Sequence, residues 1–168
     1  MSEGGAPPRR DIGRAAILAS LPHRGAALFP ERCWLDSVEQ GVIEGGGTAQ
    51  WSAEHPVLLG HFPGFAIVPG VFLIEAAAQI TGVLIRAVRD EDAGIERIGV
   101  LSSVKKALIH APVLPGQSVD YQLRLRPAGA FFYQVSGLAT ANGDKAISLE
   151  LTIGVFDRTQ LSKSNHGS

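Results

Sequence analysis

Residues 60–79 run GHFPGFAIVPGVFLIEAAAQ: one histidine, a corner rich in proline and glycine, then an apolar run carrying one carboxylate. Pro63, Gly64, Pro69 and Gly70 keep residues 61–70 extended or turning, since proline fixes φ and the two residue types together punctuate local structure. From Val71 to about Arg89 nothing breaks a helix, and only the tolerated Gly82 weakens it. Val71, Phe72, Leu73, Ile74, Ile80, Val83, Leu84 and Ile85, with three alanines, make that helix apolar on nearly every side. A helix of this kind belongs in the middle of something.

The flanking chain supplies the cover. Asp11 is placed to cap a short helix over Ile12–Ala19, which Leu21-Pro22 stops. Two β-like segments follow, Ala27–Val38 and Gly41–Trp51, with Gly45-Gly46-Gly47 hinting at a bulge or turn in the second. After a turn at Asp90–Gly94 come strands over Arg97–Lys106, Ala107–Ala111 (continuous with it or not), Ser118–Arg126, Phe131–Ala141 and Lys145–Val155. Val119, Tyr121, Leu123 and Leu125 alternate with polar residues, the period of a half-buried strand. Asn142-Gly143 is the strongest hairpin signal. The expected fold is therefore α+β, five or six antiparallel strands curved around one helix. Such a sheet covers only part of the helix, so a second subunit is its natural completion.

Bulk properties narrow the class. The 168 residues suit one domain, expected over 11–157 between a disordered segment 1–10 and a flexible tail 158–168. Lys+Arg 15 against Asp+Glu 16 gives a net charge of −1, which recommends no nucleic acid partner. Mean hydropathy of +0.15 fits a large buried fraction. The single cysteine, Cys33, excludes an internal disulfide framework and fits a reducing cytoplasm. The N-terminus lacks the apolar core of a secretory signal. Pro63, Pro69, Glu75, Gln79 and Thr81 interrupt the longest apolar run, so no membrane span is expected.

Three residues are candidates for chemistry. An unpaired carboxylate at Glu75 in an apolar helix would tend to neutralise, and a carboxylic acid kept protonated can act as a general acid. The plainer account is a side chain that faces solvent or pairs with a distant basic group. His61 lies 14 residues earlier, in a constrained segment, so that one of the pair can serve as base and the other as acid. Gly70 opens the helix, where backbone N–H groups lack intrahelical partners and the dipole is positive. A carbonyl oxygen gaining charge would be held well there, although the glycine also simply permits the turn. His55 and His61 do not have helical metal-ligand spacing, and no cofactor motif is present, so neither metal nor cofactor is expected. Cys33 and His23 read as structural.

The motifs His61-Phe62-Pro63-Gly64, Val68-Pro69-Gly70-Val71 and Ile74-Glu75-Ala76-Ala77-Ala78-Gln79 resemble the HFPG…PGV…EAxAQ signature of FabZ-type 3-hydroxyacyl-ACP dehydratases. Leu21-Pro22-His23-Arg24 is similar to that family's LPHR, and Ala111–Gly116 in part to its RPVxPGD segment, so the resemblance covers roughly residues 12–155. It implies the hotdog fold, a dimer, and active sites that take the histidine from one subunit and the acid from the other. It implies that His61 removes the α-proton of a 3-hydroxyacyl thioester and that Glu75 protonates the departing β-hydroxyl. The Gly70 N–H, with Val71 beside it, would hold the thioester carbonyl. The implied partner is an acyl carrier protein bearing the substrate on phosphopantetheine, and the implied product a trans-2-enoyl thioester. Glutamate rather than aspartate at position 75 points to the branch that only dehydrates.

Departures from the pattern fall on the flanks. The family's LPHRYPFLLVDRV becomes LPHRGAALFPERCWLDSV, and FKRPV becomes Ile109-His110-Ala111-Pro112-Val113, losing two basic residues. Lys105 and Lys106 either supply that charge for the acidic carrier or form a solvated strand end. These changes suit specialised acyl or polyketide-type assembly more than housekeeping fatty-acid synthesis. Two other readings stay open: a hotdog thioesterase, and a partner subunit of a heteromeric dehydratase.

Overall fold

The computed structural model describes residues 9–89 and 97–157; the turn expected at 90–94, residues 1–8 and the tail 158–168 lie outside the described residues. Among the described residues two α-helices, α1 (Arg14–Ser20) and α2 (Gly70–Val88), accompany seven strands. These are β1 (Arg10–Ile12), β2 (Pro30–Glu39), β3 (Val42–Gln50), β4 (Arg97–Ile109), β5 (Ser118–Pro127), β6 (Phe132–Ala141) and β7 (Asp144–Asp157). They form one antiparallel sheet in the order β1-β2-β3-β5-β6-β7-β4. The sheet curls round α2, which packs on β2, β3, β4, β5 and β7. This is the expected hotdog architecture.

Among the described residues, α2 alone (19 residues) is long and apolar enough to cross a bilayer. Its surroundings decide otherwise: Leu73, Ala76, Ala77, Ile80, Val83 and Leu84 are buried against the sheet, making it the core helix of the domain. One stripe escapes burial. Val71, Glu75, Ala78, Gly82 and Arg86 follow each other at spacings of three or four, so they share one face, and that face is half-buried to exposed.

Several local expectations change. Asp11 does not cap α1; it lies in β1, paired with Trp34, and Gly13 occupies the N-cap with no side-chain bond. The helix accordingly begins two residues later than expected. The short strand β1 takes the strand count to seven, because three residues are too few to show a period. A 3-10 turn occupies Gly25–Ala27 before β2 starts at Pro30. The two expected segments 97–106 and 107–111 join in one strand that ends at Ile109, with bulges at the steps Leu101/Ser103 and Val104/Lys106 that bend it without ending it.

The triple glycine is neither bulge nor turn. Gly45, Gly46 and Gly47 pair without interruption with Leu123, Gln122 and Tyr121 of β5. A methyl on Gly45 would stand 2.9 Å from Leu84 Cδ2, and one on Gly47 would stand 3.0 Å from Ile80 Cγ1 and 2.6 Å from the Arg32 carbonyl oxygen. Glycine here lets α2 lie close on the sheet. The expected hairpin forms at Asn142-Gly143, both at positive φ (53° and 87°), with Ala141 paired to Asp144.

Candidate active site

His61 ends a 3-10 turn (Leu58–Gly60) and is bound twice to the same residue. Its carbonyl accepts from the Ile67 N–H (3.1 Å), and its Nδ1 lies 2.9 Å from the Ile67 carbonyl oxygen. A carbonyl oxygen can only accept, so Nδ1 carries the hydrogen and a neutral ring presents Nε2 as a bare lone pair. The next residue along, Val68, donates to the Val113 carbonyl (2.8 Å), tying this corner to the segment after β4. His61, Gly70, Leu73, Ile109, His110 and Pro112 line an open cavity of about 320 Å³.

The N-terminus of α2 opens on that cavity. Pro69 caps it without a side-chain bond, and the first-turn N–H groups have no acceptor within the helix. A β-carbon at Gly70 would overlap Ile109 Cδ1, so glycine keeps this end of the helix close to the end of β4. Val71, in the same turn, is 67 % exposed. His55 serves the scaffold. Its Nε2 reaches the Ala26 carbonyl (3.0 Å) and its ring packs on Phe72 and Phe29.

Glu75 faces a different space. It lines a cleft of about 250 Å³ with the end of α1, the chain through His23, the C-terminal half of α2 and the start of β4. Within one subunit, then, the structure brings His61 and Gly70 together but not Glu75. The carboxylate also has neighbours, contrary to the expectation of an unpaired acid in an apolar helix. Its side chain is 39 % exposed, its Oε1 accepts from Gln79 Nε2 (2.9 Å), and His23 Nε2 stands 3.4 Å from the same oxygen.

Gln79 is the residue that sequence reasoning passed over. It is buried, its Nε2 donates to both Glu75 Oε1 and the Ala27 carbonyl (2.8 Å), and its Oε1 accepts from the Phe29 N–H (2.9 Å). Reversing the amide would face N–H with N–H and oxygen with oxygen, so the network fixes its orientation. The available signal was an amide one turn after the acid in an otherwise apolar helix. Cys33 is buried, and burial pushes its thiol up to about 12, the chemistry of an inert side chain. Lys105 pairs with Glu150 across the sheet (3.2 Å), which favours the strand-end account of that lysine.

The ApeI-like family model, described as ApeI dehydratase, matches residues 46–145, a span holding His61, Gly70 and Glu75. A 3-hydroxyacyl-[acyl-carrier-protein] dehydratase FabZ of Clostridium acetobutylicum is 34 % identical over 140 residues, covering 81 % of this chain and 92 % of that one. This chain belongs to the FabZ and ApeI-like dehydratase family. Among solved structures, the dehydratase heterocomplex ApeI:P from Xenorhabdus doucetiae superposes with a TM-score of 0.69 at 21 % identity, over 90 % of this chain and 97 % of that one. A hypothetical thioesterase with coenzyme A from Streptococcus pneumoniae superposes with 0.54 at 14 %, over 86 % and 98 %. Both share the fold; the dehydratase membership rests on the sequence matches.

Proposed function

We propose that this chain dehydrates a 3-hydroxyacyl thioester carried on acyl carrier protein, in a cytoplasmic homodimer whose two active sites each draw on both subunits. The observation that carries this reading is the separation of His61 and Glu75 into two cavities at opposite ends of an unpaired edge strand. Among the described residues β4 has a partner, β7, on one side only, and its outer half is exposed, with Val104, Leu108 and Ile109 among the exposed apolar residues. Such an edge is a template for pairing. Antiparallel pairing of two β4 strands about Ser103 sets the Ile109 end of one against the Arg97 end of the other. The first end adjoins the His61 cavity and the second lines the Glu75 cleft. A two-fold axis therefore completes two sites at once.

In each site the roles follow from position. Nε2 of His61 takes the proton from the α-carbon, and the electron pair moves through the α–β bond as the β-carbon–oxygen bond breaks. Glu75 gives its proton to the departing oxygen, which leaves as water. The N–H groups at Gly70 and Val71 face the thioester oxygen as it gains charge, aided by the positive end of α2. Proton return from His61 to Glu75 resets the pair. No metal or cofactor is required by this sequence of steps.

The test is direct. Purified protein incubated with a panel of 3-hydroxyacyl carrier proteins of differing length is expected to yield the enoyl thioester, 18 mass units lighter by loss of one water (about 18 Da), read by mass spectrometry. Release of free acid and carrier thiol without enoyl product would select a thioesterase instead. Enoyl formation only after a second hotdog chain is added would select a heteromeric enzyme.

A further inference from the structure

His23 was expected to be structural, yet its surroundings give it no structural task. Its Nδ1 is buried without a hydrogen-bond partner, and its Nε2 stands 3.4 Å from Glu75 Oε1. The chain around it is built to present the ring. Leu21 is buried in the core, Pro22 fixes the turn, and Arg24 is spent on main chain. Its guanidinium donates to the carbonyls of Leu21 (2.6 Å), His23 (2.7 Å) and Leu18 (3.0 Å), stapling the segment from the end of α1.

We infer that His23 is a positioning residue which, with Gln79, determines which oxygen of Glu75 carries the proton. A buried N–H without an acceptor is rarer in proteins than an unfilled lone pair. The neutral ring therefore leaves Nδ1 bare and carries its hydrogen on Nε2, toward the carboxyl. Gln79 Nε2 donates to the same oxygen at 2.9 Å, and its amide cannot turn away because Nε2 also donates to the Ala27 carbonyl and Oε1 accepts from the Phe29 N–H. Gln79 thus donates to Oε1 and the His23 Nε2–H faces the same oxygen from 3.4 Å, while among the described residues Oε2 has no bond. A carboxylic acid under two donors keeps Oε1 as the carbonyl oxygen and places its proton on Oε2. That leaves Oε2 as the atom able to protonate a substrate in the cleft. Gln79 supplies a donor that is always present; His23 closes the second approach to Oε1.

This inference rests on the dehydratase reading, and the test separates the two. Steady-state kinetics on an enoyl-forming substrate would be compared for wild type, His23→Gln, His23→Phe and His23→Leu. Glutamine keeps an N–H at a similar reach, whereas Phe and Leu remove it. The expected result is a fall of about tenfold or more in kcat for Phe and Leu with KM within about twofold, and His23→Gln within about threefold of wild type. The leucine variant covers the case in which phenylalanine prevents folding, with the Tm of each variant measured alongside. Full kcat in either folded apolar variant, an equal loss in all three, or a loss confined to KM would overturn the role of His23 while leaving the dehydratase reading in place. A wild-type protein that forms no enoyl product would overturn both.

Discussion

Gln79 donates from Nε2 to Glu75 Oε1 at 2.9 Å, one helical turn away, and holds the chain at Ala27 with the same Nε2 and at Phe29 with its Oε1. A single buried amide thus links the acid to the segment in which this chain departs from its family's pattern, residues 25–30. Replacing it by leucine leaves the Phe29 N–H and the Ala27 carbonyl without partners at the core's edge. Gln79→Leu is expected to lose about 2–4 kcal/mol of stability. Urea unfolding measures it, and a midpoint equal to that of wild type would refute the clamp.

The composite site predicts complementation. His61→Ala and Glu75→Gln are each expected to reduce enoyl formation by about 10²–10⁴-fold. Unfolded together and refolded, the two variants form mixed dimers in which one site contains both native residues. About a quarter of wild-type activity should return after random reassortment, since half the dimers are mixed and each has one intact site. Activity no greater than that of the separate parents would mean that the site is not shared.

The dimer contact should yield to charge at the middle of β4. Val104 is 44 % exposed and one residue from Ser103, the midpoint of the strand. Val104→Asp sets like charges against one another across the two-fold axis. Sedimentation should show monomer, with activity lost in parallel; an active dimer would exclude β4 as the contact.

Gly70→Ala separates folding from chemistry. The added methyl meets the far end of the Ile109 side chain, which is 48 % exposed within one subunit and can give way by changing rotamer, so the Tm should change little. The methyl enters the cavity beside the first-turn N–H groups, and kcat/KM is expected to fall about tenfold or more. Unchanged kinetics would remove this end of α2 from the site.

Cys33 gives a signed pH dependence. Its thiol is raised from 9.0 to about 12 in the folded chain by burial. Between those values the unfolded chain has lost the proton that the folded chain retains, so stability falls as pH rises, by at most about 1.4 kcal/mol per pH unit. Cys33→Ala should flatten that slope in urea titrations between pH 8.5 and 10 (about the thiol's ordinary range). An unaltered slope would place the titration elsewhere.

Much of this architecture was legible because it is written in local chemistry. The apolar run after Gly70 has few places to go but a core, the alternation from Val119 to Leu125 matches a half-buried strand, and Asn142-Gly143 forms the turn its φ preferences dictate. The motifs carrying His61, Gly70 and Glu75 were equally plain. Asp11 misled because a capping residue and a strand residue look alike until pairing with β2 is known. The triple glycine misled for a related reason: its cause is the approach of Leu84 and Ile80, residues more than thirty positions away.

From sequence alone came the core helix, every strand but the short β1, the family and the residues with chemical potential, since each depends on side-chain type and short spacing. Only the tertiary structure decided that His61 and Glu75 face different cavities, that Gln79 and His23 converge on one oxygen of the acid, and that β4 is left as an open edge. Those relations depend on how distant segments meet in space. Spacing along a chain specifies what a helix can present, but the direction in which it presents each group is set by the sheet that wraps it.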